Sequence, residues 1–573
     1  MPNTRMMLWI ALAAILYFNY DAWMRDYGAP SAPASVSQPA GNQANTPSAA
    51  APTLGDTLPQ AAAPATGLAP ASSSPGAAVL PAPAGAANGT DAGTELTVRT
   101  DVLEMHINLK GGELDQADLL QYPLRKDAPD VPVRLLNHDN ANSLYLLQTG
   151  LLSGDSAQLA PTHLVSWSAP QQNFTLAAGA DEVRVPLSWS DGAGLAVTKT
   201  FVFKRGSYAI DLDYDVRNTG ATARNVAPYS QILRHWEHAS RSYFDVESYS
   251  FKGPAVYDGA KSTDLKVEDR EDSHFTASAT NGWIASLQHH FVTAVVPTAG
   301  EAFKFQLLVQ NSQYLLSATG PMQSIPASGA RQWSEKLFVG PKLQLQLTAT
   351  GPHLERTADY GKLTVIAQPL FAVLNWVHGL VGNWGWSIII VTALIKLIFF
   401  PLSQASGRSM AKMRSVGPRM KQIQETFKDD RAKLGQAMME LYKKEKINPL
   451  AGCLPMIVQI PFFISFYWVL LESVEMRQAP FMLWVNDLSA RDPYFILPLL
   501  MGGAMFGQFK LNPAPPDPMQ AKVMQFMPLV MTVMMAWFPS GLVLYWLTNT
   551  ALSIAQQLRI NQVVEAEAKK PRS

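Results

Sequence analysis

The sequence predicts a polytopic α-helical membrane protein that carries a large all-β domain. Three observations support this fold class. Five apolar segments after residue 383 predict a membrane core of five helices, and another apolar segment near the amino terminus predicts an N-terminal anchor helix. Between them, residues 96–351 alternate apolar and polar side chains with a period of two, which is typical of antiparallel sheets. A chain of 573 residues is long enough for these separate domains.

The composition narrows the class of function. Formal net charge is zero and 16% of the residues are charged, whereas 47% are hydrophobic. The chain therefore lacks the bulk positive charge of a nucleic-acid binder held by electrostatics. Its single cysteine, Cys453, excludes an intramolecular disulfide and a metal site made of several cysteines. Any domain outside the cytoplasm must be stabilised by its core alone.

The amino-terminal segment, residues 1–26, contains the apolar run MMLWIALAAILYFNY after Arg5. A cleaved signal peptide is one interpretation, but the run leads into Tyr20 and Trp23 instead of the small residues of a cleavage site. We therefore expect an uncleaved transmembrane anchor with its amino end in the cytoplasm. Residues 27–95 are rich in Ala, Pro and Ser and have little apolar surface to bury, which predicts a disordered tether.

Residues 96–351 contain alternating runs such as TVRTDVLEMHINL and EVRVPLSWS, with turn sequences such as DGAG and NTG between runs. This pattern predicts a β-sandwich or barrel. Four histidines lie in the region: His235, His238, His289 and His290. A metal site or a sugar-processing enzyme is one interpretation of them, but their spacing matches no motif such as H-E-x-x-H. We expect no metal and interpret the domain as a scaffold or an interaction module.

The remaining segments predict how the chain crosses the membrane. An interfacial amphipathic helix is expected over residues 352–382. Five crossings are expected over residues 383–402, 450–472, 494–509, 522–538 and 541–557. Several are short of the usual span of about 20 residues, as in a locally thinned bilayer. The other segments are a cytoplasmic helical hairpin, an external loop, a cytoplasmic loop and a basic cytoplasmic tail, over residues 403–449, 473–493, 510–521 and 558–573.

Loop charge predicts the orientation, because cytoplasmic loops are enriched in Lys and Arg. Residues 403–448 contain eleven basic and five acidic side chains, whereas the only basic residues of the loop 473–493 are two arginines. The hairpin is therefore expected in the cytoplasm. Both chain termini are expected on the same side, and the β domain on the opposite side.

The hairpin is predicted from apolar side chains spaced three and four residues apart. They are Met413, Val416, Met420, Ile423 and Phe427 in one arm and Leu434, Met438 and Leu441 in the other. Pro418 is compatible with the first turn of the first arm. One interpretation of the hairpin is a short coiled coil with solvated basic faces. A second, which does not exclude the first, is that the hairpin also forms a contact surface for anionic headgroups, ribosomal RNA or a targeting partner. The candidate contact residues are Arg414, Arg419, Lys421, Lys433, Lys443 and Lys444.

One lysine, Lys396, interrupts the apolar run IVTALIKLIFFPL near the midplane or in the inner half of the second crossing. A lysine at the centre of a spanning helix costs about 2.5–3.5 kcal/mol on insertion scales, so it needs water, a partner or a function. Snorkelling to the cytoplasmic headgroups is one interpretation. A hydrated cavity is the other, because the crossings contain further polar side chains. These are Thr392, Gln459, Thr548, Asn549, Thr550 and Ser553.

Five stretches carry a family resemblance: INPLAGCLPMIVQIPFF, RQAPFMLWVNDLSARDPY, GNWGWSIII, SMAKMR and FPSGLVLYW. They resemble the signature sequences of the bacterial YidC membrane protein insertases, in the form with six crossings and a large periplasmic domain. The resemblance is most specific from Gln368 to Leu558. It implies a five-helix insertase core, a β-supersandwich in the periplasm and a location in the bacterial inner membrane.

The resemblance also implies an insertase and chaperone for nascent membrane proteins, which acts alone or with the Sec translocon and needs no cofactor or metal. Further implied partners are the ribosome, the signal recognition particle receptor and the lipid bilayer. The family has a hydrophilic groove with a positive residue, which is arginine in its best-known members and Lys396 here. Lysine keeps the charge but lacks the planar fork that binds a carboxylate with two hydrogen bonds. The other implied groove residues are Thr392, Gln459, Tyr545, Trp546 and Asn549.

The residues alone leave two other classes of function open. A transporter or channel would also place a lysine among polar side chains, but it needs a pathway that is continuous between both sides of the membrane. An enzyme anchored in the envelope would need a nucleophile and a base, and the sequence contains no G-x-S-x-G motif.

Overall fold

The computed structural model describes residues 53–60, 95–155, 158–236, 250–358, 360–427, 430–445, 454–511 and 518–569. All of these belong to one compact unit, Pro52–Ser573. The predicted anchor, most of the predicted tether, the end of the carboxyl-terminal tail, His238 and Cys453 lie outside the described residues.

The β domain begins at Glu95, one residue before its predicted start. Its strands are β1 (Glu95–Arg99), β2 (Leu103–Asn108), β3 (Glu113–Arg125), β4 (Ala128–Arg134), β5 (Tyr145–Ser153), β6 (Asn173–Thr175), β7 (Glu182–Ser190), β8 (Leu195–Lys204), β9 (Ala209–Asn218), β10 (Arg224–His235), β11 (Gly253–Tyr257), β12 (Ser262–Asp264), β13 (Thr276–Thr280), β14 (Trp283–Leu287), β15 (Phe291–Val296), β16 (Ala302–Gln310), β17 (Gln313–Thr319), β18 (Gln323–Ile325) and β19 (Ala330–Pro341). The predicted alternation is visible in β9, where every second side chain from Ile210 to Val216 is buried and the aspartates between them are partly exposed.

The strands form two sheets that pack face to face. One sheet has the order β13-β16-β17-β10-β5-β3-β2-β1-β6, with β18 beside β10 and β4 beside β3, and the other has the order β12-β11-β14-β15-β19-β9-β8-β7. Neighbours such as β7, β8 and β9 are antiparallel, whereas β1 and β6 are parallel. One core holds apolar side chains from both sheets, including Val98 and Met105 from the first and Phe201 and Leu212 from the second. The predicted β-sandwich is confirmed.

A short piece of the predicted tether, residues 53–60, is ordered against the first sheet. It forms a 3-10 turn at Leu54–Asp56, and Leu54 is buried against β-domain leucines that include Leu146 and Leu233. The imidazole of His163 donates from Nε2 to the Gly55 carbonyl oxygen at 3.0 Å. The prediction of a disordered tether over residues 27–95 therefore does not hold here, because one leucine and a few backbone bonds are enough to dock the segment.

The rest of the chain is helical. The helices are α1 (Gln344–Thr350), α2 (Thr364–Val381), α3 (Trp384–Ile398), α4 (Phe400–Ser415), α5 (Gly417–Thr426), α6 (Arg431–Lys444), α7 (Leu454–Glu472), α8 (Ile496–Leu511), α9 (Pro518–Met535) and α10 (Ser540–Lys569). Buried apolar residues of α2, α3, α7, α8 and α10 share one core. Large apolar side chains also remain exposed on this part of the chain, as on a surface that contacts lipid. They include Leu397, Ile398, Leu499, Phe526 and Leu529.

Length and composition identify α2 as one helix that could cross a membrane, and the pair α3 and α4 as a second candidate if the two count as one span. Shorter apolar helices lie at Val458–Glu472, Ile496–Leu511 and Lys522–Met535. Six crossings therefore stay a prediction. The exposed face of α2 carries Val365 and Trp376, so both faces of this helix are apolar. The predicted position of this helix along the membrane interface also stays a prediction.

The predicted second crossing, residues 383–402, is broken. α3 ends at Ile398, and the axis turns by 66° before α4 continues. Pro401 explains the break, because its missing N–H cannot continue a helix but is compatible with the first turn of a new one. Lys396 consequently lies in the last turn of α3, not in the middle of a straight helix.

Candidate functional site

The amino-terminal end of α3 fixes the position of two predicted groove residues. Asn383 caps this end: its side-chain oxygen accepts a hydrogen bond from the Trp386 backbone N–H at 3.1 Å, and its amide group donates to the Phe481 carbonyl oxygen at 3.0 Å. The helix then continues without a break to Ile398. Thr392 and Lys396 are four residues apart and therefore lie on the same face, one above the other.

A small cavity lies between α3, α4, α7 and α10. Its volume is about 20 Å³, which is room for about one water molecule. Five of the six predicted groove side chains line it: Thr392, Lys396, Gln459, Tyr545 and Asn549. The rest of the lining is mostly apolar: Ile395, Phe399, Leu402, Ser403, Val458 and Phe462. Polar residues from three separate helices therefore come together in an apolar surrounding.

Lys396 is half-buried and, among the described residues, makes one side-chain hydrogen bond. Its Nζ donates to the Ser553 hydroxyl oxygen at 2.7 Å, and the Ser553 hydroxyl donates to the Asn549 carbonyl oxygen at 2.7 Å. Within the described part of the chain, no carboxylate faces this ammonium group. Lys396 lies in the last turn of α3, where the negative end of the helix dipole favours a cation. Because an ammonium group has three donors, two remain for an acceptor in the cavity.

Thr392 plays a more restricted part in the cavity than its sequence position suggests. Its side chain is buried, and its hydroxyl donates to the Ile388 carbonyl oxygen at 2.6 Å. This bond to the preceding turn uses the only hydroxyl hydrogen. Thr392 can therefore accept a hydrogen bond from a molecule in the cavity but cannot donate one.

Aromatic packing between α7 and α10 forms one wall of the cavity. The ring of Tyr545 stacks on Phe466, with centroids 4.5 Å apart and planes at 15°. The sixth predicted residue, Trp546, lies beside the cavity and not in its lining. Its ring meets Phe463 edge to face with centroids 4.6 Å apart. Tyr545 and Trp546 thus hold α7 and α10 together, and only Tyr545 also faces the cavity.

The hydrogen-bond partner of Lys396, Ser553, was not among the groove residues implied by the family resemblance. A signal was present, because Ser553 is four residues after Asn549 and so lies on the same helical face. The apolar lining could not be found from sequence, since it depends on how four helices pack. Next to Lys396, Leu397 and Ile398 are 66% and 72% exposed, so the charge lies beside an apolar outer surface.

The predicted hairpin is formed by α5 and α6. Its buried side chains are Val416, Met420 and Leu441, with Met413, Ile423, Met438 and Tyr442 packed against them. Pro418 is in the first turn of α5, where the missing N–H costs nothing. An ion pair of 2.6 Å joins Arg419, near the start of α5, to Glu445, just after α6, so the arms are antiparallel.

The basic residues predicted for hairpin contacts differ in their surroundings. The structure describes the side chains of four: Arg419, Lys433, Lys443 and Lys444. Arg419 is paired with Glu445, and Lys433 lies 3.2 Å from Asp430, the residue that caps α6. Lys443 and Lys444 are exposed in the last turn of α6. The other two, Arg414 and Lys421, belong to α4 and α5.

Comparisons with known proteins match nearly all of the described chain. A family described as "60Kd inner membrane protein" matches residues 376–568, and one described as "YidC periplasmic domain" matches residues 95–373. The membrane protein insertase YidC of Thioalkalivibrio sulfidiphilus is 43% identical over 581 residues, covering 100% of each chain. That of Nitrosococcus oceani is 43% identical over 571 residues, covering 99% of this chain and 100% of the relative. A solved structure of an active YidC insertase with its first transmembrane domain resolved is 18% identical, covers 81% of this chain and 92% of its own, and has a TM-score of 0.36.

Proposed function

Because the chain belongs to the YidC family of membrane protein insertases, we propose that it inserts nascent membrane proteins through the cavity around Lys396. Members of this family are bacterial inner membrane proteins with a periplasmic domain. One observation carries the role of the cavity. Lys396 is a half-buried ammonium group with a single hydroxyl partner, beside polar side chains from three helices and without a carboxylate partner in the described part of the chain.

In the proposed mechanism the cavity lowers the barrier to moving a hydrophilic segment across about 30 Å of hydrocarbon. Lys396 attracts the acidic side chains of that segment and offsets part of the free energy lost on dehydration. The apolar segment of the client leaves sideways past Leu397 and Ile398 into lipid, where its burial favours the step. The protein supplies a fixed charge and a path, without covalent chemistry.

The proposal requires a point charge at this position, not a particular geometry of donors. The Lys396 ammonium keeps two donors for a client carboxylate after its bond to Ser553. An arginine would add a planar fork that binds a carboxylate with two parallel bonds. A lysine therefore releases the client more easily, and exchange of one cation for the other is expected to preserve insertion.

The proposed topology has six crossings, with both termini in the cytoplasm and the hairpin α5–α6 on the same side. The excess of basic residues in the hairpin segment supports this orientation. We include the ribosome, the signal recognition particle receptor, anionic lipid and the Sec translocon as partners in the proposal. Lys443 and Lys444 are the best candidates for contacts with the first three, because they are exposed, whereas Arg419 and Lys433 are engaged in ion pairs.

The test is insertion of a single-span client with an acidic translocated segment into liposomes that contain only this protein. Protease protection of the translocated segment gives the rate. Lys396→Ala is expected to lower the rate at least about tenfold, equivalent to about 1.4 kcal/mol of barrier, and Lys396→Arg to keep it near the wild-type value. A client whose acidic residues are changed to amides should depend far less on Lys396.

The matched control is Lys510→Ala. Lys510 lies in the last turn of α8, with its ammonium group 4.8 Å from the Phe506 ring centroid, and does not line the cavity. It is expected to insert the client at the wild-type rate. Equal rates for Lys396→Ala and the wild type would reduce Lys396 to a snorkelling side chain. If the wild type inserts nothing, addition of purified Sec translocon separates an obligatory partner from a wrong assignment of the activity.

A further inference from the structure

A second cavity lies between the β domain and the segment that joins α7 to α8, residues 473–493. Its volume is about 470 Å³, which is far larger than the cavity around Lys396. Charged and titratable side chains from several distant parts of the chain line it. They are Arg234, Lys252, His289, His290, Arg477 and Asp487.

The cavity lies at the outer end of α7. His289 donates from Nε2 to the Leu471 carbonyl oxygen at 3.0 Å, one residue before α7 ends. On the other side, Arg477 donates from Nη2 to the Leu124 carbonyl oxygen of β3 at 3.1 Å. Because the β domain of this family is periplasmic, the cavity faces the periplasm. At the end of a proposed membrane-crossing helix it lies at the level of the outer lipid headgroups, a placement that rests on the proposed topology.

Positive charge dominates the cavity lining. Arg234, Lys252 and Arg477 contribute three cations, and Asp487 contributes one carboxylate. One oxygen of that carboxylate accepts hydrogen bonds from backbone N–H groups of the same loop, including Gln478 at 3.1 Å and Ser489 at 2.9 Å. Asp487 is thus engaged in holding its own loop. The remaining excess of cations is the electrostatic signature of an anion site.

The two histidines report the same positive surroundings. Their rings are stacked with centroids 3.8 Å apart. Burial, the charge of Lys342 and the smaller effects of the charges of Lys252 and Arg477 lower the pKa of His289 to about 3. Burial and the neighbouring His289 ring also lower the pKa of His290 well below its ordinary value. Both rings are therefore neutral near pH 7. Because the Nε2–H of His289 is already donated to the Leu471 carbonyl oxygen, this ring adds neither charge nor a further donor to the cavity.

Both arginines are held in place without any ligand. Arg234 donates from Nη1 to the Ser286 hydroxyl oxygen at 2.9 Å and to the Leu287 carbonyl oxygen at 3.1 Å. The guanidinium of Arg477 lies 5.6 Å from the Phe291 ring centroid. The Arg234 guanidinium group has five N–H donors, so its two anchoring bonds leave others for a ligand. Groups fixed in advance lose little conformational entropy when an anion binds.

We propose that this cavity binds a phosphate-bearing anion, with the headgroup of an anionic phospholipid of the outer leaflet as its source. Phosphate suits the lining, because arginine binds its oxygens with two parallel hydrogen bonds and lysine adds a point charge. Free phosphate has the same chemistry, but the loop that lines one side of the cavity also carries exposed apolar side chains. Met482 and Leu483, in the same loop, are 43% and 75% exposed and can contact acyl chains. A bound lipid would fasten the β domain to the membrane surface.

The test uses the full-length protein in a neutral detergent and native mass spectrometry to count bound molecules. Three probes are titrated: dioctanoyl phosphatidylglycerol, dioctanoyl phosphatidylcholine and inorganic phosphate. Phosphatidylglycerol is expected to saturate one site. Phosphatidylcholine is expected to bind at least about tenfold more weakly, because its ammonium group meets the cations of the cavity. Lys252→Glu is expected to weaken phosphatidylglycerol binding by about tenfold or more without changing the thermal midpoint, since Lys252 is exposed.

Lys261→Glu is the matched control, because Lys261 is an exposed lysine of the same domain that does not line the cavity. It should bind phosphatidylglycerol within about twofold of the wild type. If inorganic phosphate binds saturably and as tightly as phosphatidylglycerol, the result would support the phosphate chemistry and assign the site to the free anion. Absence of saturable binding by all three probes would overturn the proposal, and so would unchanged binding in Lys252→Glu.

Discussion

Lys199 in the β domain and Lys396 in the helical region are both withdrawn from water, and their surroundings differ. The Lys199 ammonium is fully buried and donates to the Gly112 carbonyl oxygen at 2.6 Å and the Thr149 carbonyl oxygen at 3.1 Å. Lys396 donates to one hydroxyl and faces a cavity. A cation whose donors are used by the protein stabilises the fold, whereas one with donors to spare is available to a ligand.

The charged groups around the two lysines also differ. Nearby carboxylates, Glu113 and Glu335, oppose the effect of burial, which lowers the pKa of Lys199 to about 7. Burial also raises the pKa of Glu335 to about 7, although its bond from Ser230 and the charge of Lys199 act against this. Lys199 and its acids thus form a buried charge cluster within the sandwich. In the described residues Lys396 faces no such acid.

The largest effect expected from this comparison is on stability. Lys199→Ala leaves two carbonyl groups, the buried Glu335 and the half-buried Glu113 without their cation, so the free energy of unfolding should fall by about 3–5 kcal/mol. Chemical denaturation of the full-length protein, followed by tryptophan fluorescence, measures the change. The insertion rate per folded molecule should stay at the wild-type value, because Lys199 is distant in sequence from the residues that line the cavity around Lys396 and is not one of them.

Lys204→Ala provides the control on the same strand. Lys204 is exposed and pairs with Asp211 at 2.7 Å, and exposed pairs contribute about 0–1 kcal/mol. The two variants should therefore differ by at least about 2 kcal/mol. Equal destabilisation would mean that burial of the ammonium group is not what distinguishes Lys199.

A second effect concerns the dependence of stability on pH. Burial lowers the pKa of His163 from 6.5 to about 4, while its ring lies 2.6 Å from the Tyr229 hydroxyl oxygen and also holds Gly55. Between pH 6.5 and 4 the unfolded chain binds a proton at this position and the folded chain does not, so stability is present above pH 6.5 and is lost as pH falls. The loss attributable to His163 is about 3 kcal/mol at most.

His163→Gln keeps a donor for Gly55 but has no group that titrates. Urea unfolding at several pH values across this window should show a shallower fall of stability for the variant than for the wild type. His274→Gln, at an exposed histidine, should leave the slope unchanged. A slope for His163→Gln as steep as in the wild type would show that other groups control the acid sensitivity of the sandwich.

Local patterns could predict part of this molecule. The alternation of β9 and the three-and-four spacing of the hairpin depend on nearest neighbours in the chain, and both elements have the predicted form. Thr392 and Lys396 share a face for the same reason. Docking of Leu54 depends on leucines about 90 residues or more away in sequence, and sequence composition alone therefore suggested disorder.

The contacts of the two candidate sites could be predicted only in part. Ser553 reaches Lys396 across 157 residues, and this pairing depends on how α3 and α10 pack. The apolar run favours one continuous helix, whereas the proline after Ile398 favours a break. The pattern of apolar residues alone does not predict the bend. The anion cavity is formed by short segments from distant parts of the chain, none of which carries a motif.

A smaller effect is expected at the hydroxyl that holds Lys396. Ser553→Ala removes the bond of 2.7 Å, so the ammonium group becomes less well positioned but keeps its charge. Insertion of the acidic client should slow by about threefold, and stability should change by about 1 kcal/mol or less. Ser403→Ala changes another hydroxyl of the same cavity lining and should leave the rate unchanged. A loss as large as in Lys396→Ala would make Ser553 a second essential group.

The smallest effect is expected where a cation is neither buried nor aimed at a cavity. Arg419 joins the two arms of the hairpin through Glu445, but its side chain is 65% exposed. Arg419→Ala should therefore lower stability by no more than about 0.5–1 kcal/mol. Thermal unfolding at low salt measures this difference, and about 1 M NaCl should abolish it, since salt screens exposed charges. A larger loss of stability that persists in high salt would mean that an exposed cation can stabilise the fold as strongly as a buried one. Burial would then not explain the contrast between Lys199 and Lys396.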